Sequence, residues 1–250
     1  MAAAFRWMGR QGYGDEGGAG HISVRDPILP DHFWINPFFK SFRHMKVSDL
    51  VLVNENGEVS EGGNMHAINA AGFMIHSAIH KARPDVVAAC HAHSIAGKAF
   101  SSLGIELDIS TQDSCFFWHD HTVYKYLSSL IVRMANTFRS HGVVLSTEEG
   151  ARIAKKLGKM NNIILQNHGL LTLGRTVDEA VSMFGVMDRC CAAQLLADAA
   201  AAGRGIKPTL IDDEDAKFTY DSLRGEDMRY LGFAPAYEEI LEESKGEFLL

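Results

Sequence analysis

Three histidines in two short apolar segments have the residue types and spacing of a metal site. His91 and His93 close an apolar run at positions 86–90, which is typical of a buried strand. Side chains two positions apart on a strand point to the same face, so these imidazoles would leave it about 6–7 Å apart along the chain. A second apolar segment, residues 162–172, carries His168. Imidazole is the commonest metal ligand, although each ring could instead be a hydrogen-bonded core residue.

The chemistry open to such a trio is that of a catalytic metal. Three neutral imidazoles leave coordination positions free, unlike the closed shell of a structural site. A cation held this way can polarise a carbonyl and stabilise a developing enolate. Zinc, iron, manganese and cobalt all suit nitrogen ligands, so the expected cofactor is one divalent metal ion per subunit, chosen from these four.

Periodicity predicts the elements that would position these histidines. Apolar residues at helical spacing indicate a helix over residues 67–83, ended by Pro84. A further helix is expected at 95–103, directly after the His-x-His strand, and a long one from 176 to 202. Helices therefore alternate with strands, which is typical of an α/β fold.

Composition narrows the class of protein. Of 250 residues, 46% are hydrophobic and 22% charged, which is ordinary for a globular chain. The formal net charge of −7 argues against nucleic acid or an anionic membrane as the main partner. We expect no apolar run long enough to cross a membrane and no secretory signal. Four scattered cysteines suggest reduced thiols. A cytoplasmic protein with a small-molecule substrate is expected.

Several short motifs together resemble the class II aldolase and adducin head domain family over about residues 5–202. These motifs are Gly20-His-Ile-Ser-Val-Arg-Asp26, Ile75-His-Ser-Ala-Ile-His-Lys-Ala-Arg-Pro-Asp85, His91-Ala-His93, Thr111-Gln-Asp113, Leu165-Gln-Asn-His-Gly169 and Gly174-Arg-Thr-Val-Asp-Glu-Ala180. The combination is specific where each motif alone is not. The resemblance implies a three-layer α/β/α sandwich with a mostly antiparallel central sheet, assembled as a homotetramer. It also implies that His91, His93 and His168 hold the cation.

The expected domain organisation follows from the same resemblance. Residues 1–206 would form the class II aldolase/adducin-like domain. Residues 207–250 would form an acidic extension that packs on this domain or on a neighbouring subunit. The connection at 125–142 is longer than the family's usual one. It would be either a surface helix or non-coding sequence kept by a gene model.

Two departures distinguish the chain from the family's sugar-phosphate aldolases. Their acid/base glutamate follows two serines, and alignment on His76 puts Gly72 in its place. The family's Gly-Asn element, which binds substrate phosphate, carries His21 here, and its Thr-Gly turn reads Asn36-Pro37-Phe38. We therefore expect a substrate that is not a phosphorylated sugar.

Other groups must then move protons and hold the substrate. The candidates for proton transfer border the metal site in the resemblance: His21, Asp113, His121 and Tyr124. Each could instead be structural, since geometry decides such roles. The candidates for substrate binding are His21, Ser23, Asn36 and Gly72.

The predicted function is that of a metal-dependent lyase. It would act on a non-phosphorylated hydroxy- or keto-acid, by aldol cleavage or decarboxylation through a metal-stabilised enolate. One alternative is a non-heme iron oxygenase on the same fold. Another is an adducin-like, non-catalytic oligomerising scaffold, although adducin heads are expected to have lost the metal ligands that this chain keeps.

Overall fold

The sheet at the centre of the molecule is mostly antiparallel. In the computed structural model, which describes residues 1–14, 20–126, 147–225 and 230–250, it has seven strands in the order β3-β2-β1-β4-β7-β6-β5. The strands are β1 (Gly20–Arg25), β2 (His32–Ile35), β3 (Val51–Asn54), β4 (Ala88–Ala92), β5 (His121–Tyr124), β6 (Asn162–Leu165) and β7 (Gly169–Gly174). Only β5 and β6 pair in parallel among these strands.

Seven α-helices of the described residues accompany the sheet. They are α1 (Ala2–Arg10), α2 (Ala70–Ala82), α3 (Ile95–Ser101), α4 (Thr147–Leu157), α5 (Val177–Arg204), α6 (Asp213–Leu223) and α7 (Ala234–Ser244). Short 3-10 segments lie at Phe42–His44, Val47–Asp49, Asp113–Phe117 and Glu247–Leu249. Helix α2 begins three residues later than the predicted start at 67, because the Asn69 side chain accepts the N–H groups of Ala71 and Gly72.

Helices cover both faces of the sheet, and β4, β5, β6 and β7 supply residues to both. Leu171 of β7 packs in a cluster with residues of α2 and α4, such as Ile79. Its neighbour Leu170 packs in a second cluster with residues of α1, α3 and α5, such as Phe184. This alternation is the period-two pattern of a sheet buried on both sides. The expected three-layer α/β/α sandwich is confirmed.

The register between β4 and β7 determines where the histidines meet. The two strands are antiparallel, with His91 opposite Leu171 and Ala92 opposite Leu170. The end of β4 therefore lies beside the beginning of β7. His93 follows β4 and His168 precedes β7. Two distant parts of the sequence therefore meet at the same end of this central pair of strands.

The C-terminal segment packs on the rest of the chain. Ile240 of α7 and Phe248 bury against Ala2 and Ala3 at the start of α1. Farther upstream, the indole of Trp118 donates a hydrogen bond to Asp213 at the start of α6, over 2.8 Å. The extension thus contacts its own domain, while the boundary at residue 206 and any contact with a neighbouring subunit stay predictions.

Helix α5 departs from one expectation. Its 28 residues are long and apolar enough to cross a membrane by length and composition, so the expectation of no such run was wrong by this measure. Half of the apolar stretch is buried inside the fold, with Val181 and Phe184 packed in the core. A core helix passes the same test, and the absence of a membrane partner stays a prediction.

The long connection noted in the sequence falls mostly outside the described residues. Of positions 125–142, the structure describes only Lys125 and Tyr126. Both accounts of that segment therefore remain open.

Candidate metal centre

The three histidines converge on one point. One ring nitrogen from each of His91, His93 and His168 lies within 4.8 Å of the other two. The Nε2 atoms of His91 and His93 are 3.1 Å apart. Two nitrogens that bind one ion at about 2.0–2.1 Å are themselves about 3 Å apart. The spacing therefore fits a shared cation better than a hydrogen bond between two rings.

The remaining ring nitrogens hold the rings in place. Nδ1 of His91 lies 2.8 Å from the carbonyl oxygen of Leu170, which can only accept, so Nδ1 carries the proton and Nε2 is free to ligate. Nδ1 of His168 lies 2.8 Å from the hydroxyl of Tyr126. Such partners on the far nitrogen are typical of ligating histidines. His91 is buried, whereas His93 and His168 are half-buried, which leaves an approach from solvent.

Burial also keeps the rings neutral, as ligation requires. Burial, followed by the neighbouring His93 and His21, lowers the pKa of His168 to about 3. The pKa of His91 lies well below its usual value, first because of burial and then because of the surrounding imidazoles. Neutral imidazoles with nitrogens directed at one point fit a divalent cation.

Tyr126 was not among the predicted site residues. Sequence reasoning placed it in the unusually long connection and gave it no role. Its ring lies against His168, and burial raises its pKa, so the hydroxyl stays protonated near neutral pH. Its nearness to Tyr124, a tyrosine that the sequence analysis did name, was the available signal.

His21 fills the space beside Gly72, the residue that aligns with the glutamate of the family's sugar-phosphate aldolases. Its ring stacks on His91 with centroids 6.0 Å apart and planes 7° from parallel. A Cβ added to Gly72 would lie 2.2–2.5 Å from the His21 ring, so the ring fills the space that a side chain at 72 would need. Neither ring nitrogen has a hydrogen-bond partner among the described residues. Of the predicted proton carriers, the structure places this one beside the triad.

A second set of histidines lies between α2 and β1. Gly72, His76 and His80 recur every four residues along one face of α2, about 6 Å per step. His21 and Ser23 recur every two residues on β1, about 6.6 Å per step. The two periods match, so facing residues meet in rows. Sequence reasoning quoted this helix but gave His76 and His80 no role.

Ser23 is engaged by those helix residues. Its hydroxyl lies 2.7 Å from Nδ1 of His76 and 2.8 Å from Nε2 of His80. The group is therefore used inside the fold, although the role of Ser23 in substrate binding is not otherwise tested. Asn36 donates from its amide to the carbonyl of Gly20 over 3.3 Å, and its buried Oδ1 has no partner among the described residues. The role of Asn36 in substrate binding therefore stays a prediction.

The other predicted proton carriers lie elsewhere in the chain. His121 uses both ring nitrogens on the backbone, since Nδ1 donates to Phe117 over 2.6 Å and Nε2 accepts from Leu107 over 3.0 Å. The Tyr124 hydroxyl donates to Glu149. Burial and this bond raise the pKa of Tyr124 to about 12.

Asp113 is exposed at the start of a 3-10 segment. Within the described part of a single chain, none of His121, Tyr124 and Asp113 belongs to the histidine cluster, and Tyr124 reaches it only through the ring of Tyr126. Their catalytic roles stay predictions.

Three curated relatives are similar over most of the chain. The meiotically up-regulated gene 14 protein of Schizosaccharomyces pombe is 47% identical over 80% of this chain and 72% of its own length. The decarboxylase NovR of Streptomyces niveus is 38% identical over 96% of this chain and 82% of its own. The 4-hydroxy-3-prenylphenylpyruvate oxygenase/4-hydroxy-3-prenylbenzoate synthase of Streptomyces roseochromogenus is 38% identical over 96% and 80%.

A solved structure shares the fold in detail. The L-fuculose 1-phosphate aldolase from Glaciozyma antarctica superposes with a TM-score of 0.85 at 43% identity, covering 100% of this chain and 90% of that one. The family model described as class II aldolase and adducin N-terminal domain matches residues 1–195. The fold, the converging histidines and these matches agree: the chain belongs to the class II aldolase and adducin N-terminal domain family.

Proposed function

We propose that the chain is a metal-dependent lyase that cleaves or decarboxylates a non-phosphorylated hydroxy- or keto-acid. Family membership and relatives named as a decarboxylase and a prenylbenzoate synthase support lyase-type chemistry. The observation that carries the proposal is the convergence of His91, His93 and His168, two of them half-buried, on one point.

The residues would divide the work as follows. The three imidazoles would hold a divalent cation, which supplies a Lewis acid able to polarise a carbonyl and stabilise negative charge on its oxygen. Class II aldolases use a divalent metal, typically zinc; zinc, iron, manganese and cobalt all suit these ligands.

Proton transfer falls to His21 in this proposal. When CO₂ leaves a 3-keto acid, the electron pair of the broken carbon–carbon bond delocalises onto the carbonyl oxygen as an enolate, and a proton must return to carbon. His21 is the predicted proton carrier that stacks on a ligand, and both its nitrogens are without partners among the described residues. Gly72 offers no side chain for the task, and the His21 ring fills the space beside it.

A phosphorylated sugar is the competing substrate class. The similar structure titled L-fuculose 1-phosphate aldolase favours it. Two features of this chain count against it. Ser23 already shares its hydroxyl with His76 and His80. The side chain beside Gly72 is the imidazole of His21, whose pKa is lowered to about 3 by burial and the nearby histidines, so it offers no positive charge to a phosphate.

An iron-dependent oxygenase is the second candidate function. It is favoured by the relative named as an oxygenase, which is 38% identical over nearly the whole chain. A facial set of three nitrogens with open positions suits ferrous iron as well as zinc. The adducin-like scaffold has less support, because a scaffold has no use for three neutral imidazoles directed at one point.

One experiment separates these functions. Protein stripped of metal is reloaded anaerobically with Zn²⁺, Mn²⁺, Co²⁺ or Fe²⁺. It is then incubated, with and without oxygen, with 3-keto acids, 4-hydroxy-2-keto acids and aromatic 2-keto acids, and with L-fuculose 1-phosphate. Release of CO₂ or an aldehyde without oxygen uptake supports the lyase. Oxygen uptake only with Fe²⁺ supports the oxygenase, and turnover of the sugar phosphate alone contradicts our proposal.

Two controls accompany the panel. His168→Ala should abolish any turnover, and elemental analysis should find about one ion per chain before stripping. A protein with no stoichiometric metal would favour the scaffold. The homotetramer and the cytoplasmic location are also proposals, and light scattering coupled to size exclusion would test the first.

A further inference from the structure

The hydroxyl of Ser23 lies between the imidazoles of His76 and His80, and this limits which ring nitrogens can carry a proton. Ser23, His76 and His80 are each 1% exposed. The Ser23 oxygen lies within hydrogen-bond distance of Nδ1 of His76 and Nε2 of His80. It has one hydrogen, so it donates to one ring and accepts from the other.

Only two arrangements of protons on neutral rings satisfy this geometry. In the first, Ser23 donates to His76, and His80 donates from Nε2. Nδ1 of His80 then presents a lone pair to the carbonyl oxygen of Val86, 3.4 Å away, and His76 keeps a buried N–H without a partner.

In the second arrangement, every proton of the group is used. His76 donates from Nδ1 to Ser23, Ser23 donates to Nε2 of His80, and Nδ1 of His80 donates to Val86. Three hydrogen bonds form instead of two, and no lone pair faces a carbonyl. Buried polar groups are overwhelmingly paired, so this arrangement is favoured. It leaves Nε2 of His76 as a lone pair.

That lone pair belongs to the ring next to His21. The rings of His21 and His76 meet edge to face with centroids 5.8 Å apart. The unpartnered buried nitrogens of the described residues include both of His21 and Nε2 of His76. An acceptor on His76 would favour a proton on the His21 nitrogen nearer to it.

We propose that His80 and Ser23 fix His76 in its Nδ1–H tautomer, so that the ring packed edge to face against His21 carries a lone pair on Nε2 rather than an N–H. His76, Ser23 and His80 are positioning residues, acting through His21. Any effect on catalysis rests on the proposed function, because it requires that His21 transfers a proton. The tautomer of His76 does not depend on that function.

Nitrogen NMR tests the tautomer directly. Protein labelled with ¹⁵N at histidine is sedimented and measured by magic-angle spinning, with His76 assigned by its loss in His76→Gln. Wild-type His76 should show a protonated Nδ1 and an unprotonated Nε2. A protonated Nε2 in the wild type overturns the inference, whatever the activity.

Variants of His80 and Ser23, the other two members of this hydrogen-bonded series, give a second test. His80→Phe keeps a ring stacked on Phe33 but removes the acceptor for Ser23, so the serine hydroxyl becomes free to donate to His76 instead. The preference for one tautomer should be lost, and the Nε2–H form of His76, absent in the wild type, should appear. Ser23→Ala removes the constraint, so both tautomers should appear. A wild-type pattern for His76 in both variants contradicts the proposal.

Ser101→Ala is the matched control, because Ser101 is a buried serine whose hydroxyl donates to the backbone of Lys98. Its His76 signals should match the wild type. Where turnover is found, His80→Phe and Ser23→Ala should lower kcat about tenfold or more with metal content unchanged. Wild-type protein that is inactive throughout, yet has the expected tautomer, refutes the proposed function and leaves the fixed tautomer standing.

Discussion

Two groups of histidines lie on the same side of the sheet and do different things. The triad of His91, His93 and His168 directs nitrogens at a common point, with two rings half-buried. The helix α2 pair, His76 and His80, is fully buried and shares a serine hydroxyl. Residue type is therefore no guide to role. What separates the two groups is whether a ring nitrogen from each member lies near one shared point that solvent can reach.

Loss of a triad member should give the largest effect. His168→Ala removes one of three ligands from a half-buried position, so metal content should fall from about one ion per chain to near zero. Any turnover should fall by about 10³-fold or more, as for a site that loses its metal. Elemental analysis and calorimetric titration with Zn²⁺ check this. His66→Ala, at an exposed histidine, is the control and should keep its metal; metal retained in His168→Ala would contradict the triad.

The α2 pair should instead govern stability at low pH. Burial lowers the pKa of His76 and of His80 to about 3, against about 6.5 in the unfolded chain. Below pH 6.5 the unfolded state binds protons that the folded state does not. The stability that neutral rings contribute is therefore present above pH 6.5 and is lost as pH falls toward 3.

The expected size is up to about 1.4 kcal/mol per pH unit for each such histidine. Urea unfolding of metal-stripped protein between pH 7 and 5 measures the slope of the free energy of unfolding. His80→Phe, which cannot ionise, should have the smaller slope. Equal slopes in the two proteins would mean that His80 is not buried as a neutral ring.

His21 joins the two groups, and its pairing with Gly72 can be measured. Gly72→Ala puts a Cβ within 2.2–2.5 Å of the His21 ring, which should cost about 1–3 kcal/mol of stability. In a His21→Ala background the space is free, and alanine is the better helix former by about 1 kcal/mol. The same substitution should then be neutral or stabilising. Additive effects in a double-mutant cycle would refute the contact.

Local sequence patterns predicted the triad because two of its members share one strand. The third member and the fold came from matching motifs. The pairing of Ser23 with His76 and His80 was missed, because it requires knowing that β1 lies along α2. His121 shows the same limit: both of its ring nitrogens bond to backbone groups, which its place in the sequence did not indicate, and its catalytic role stays a prediction. Hydrogen-bond partners depend on tertiary contacts, which spacing along one segment does not reveal.

The hydrogen bond behind the triad should give the smallest effect. The Tyr126 hydroxyl is 2.8 Å from Nδ1 of His168 and holds that ring by a single bond. Tyr126→Phe keeps the aromatic contact with Tyr124 and deletes only the oxygen. Loss of such an outer partner typically weakens metal affinity 10–100-fold. We expect about 10-fold for Zn²⁺, because His91 remains fixed by the Leu170 carbonyl.

The competing account is that Tyr126 is only a packing residue. In that case Zn²⁺ affinity in Tyr126→Phe would equal the wild type, while the free energy of unfolding changed. Competition with a chromogenic chelator resolves a 10-fold difference in affinity. Tyr13→Phe is the matched control, since Tyr13 is a buried tyrosine that packs on Phe184 and Trp7. Weaker Zn²⁺ binding in Tyr126→Phe, but not in Tyr13→Phe, would show that the hydroxyl behind His168 contributes to metal affinity. The α2 pair, by contrast, is expected to contribute to the free energy of unfolding.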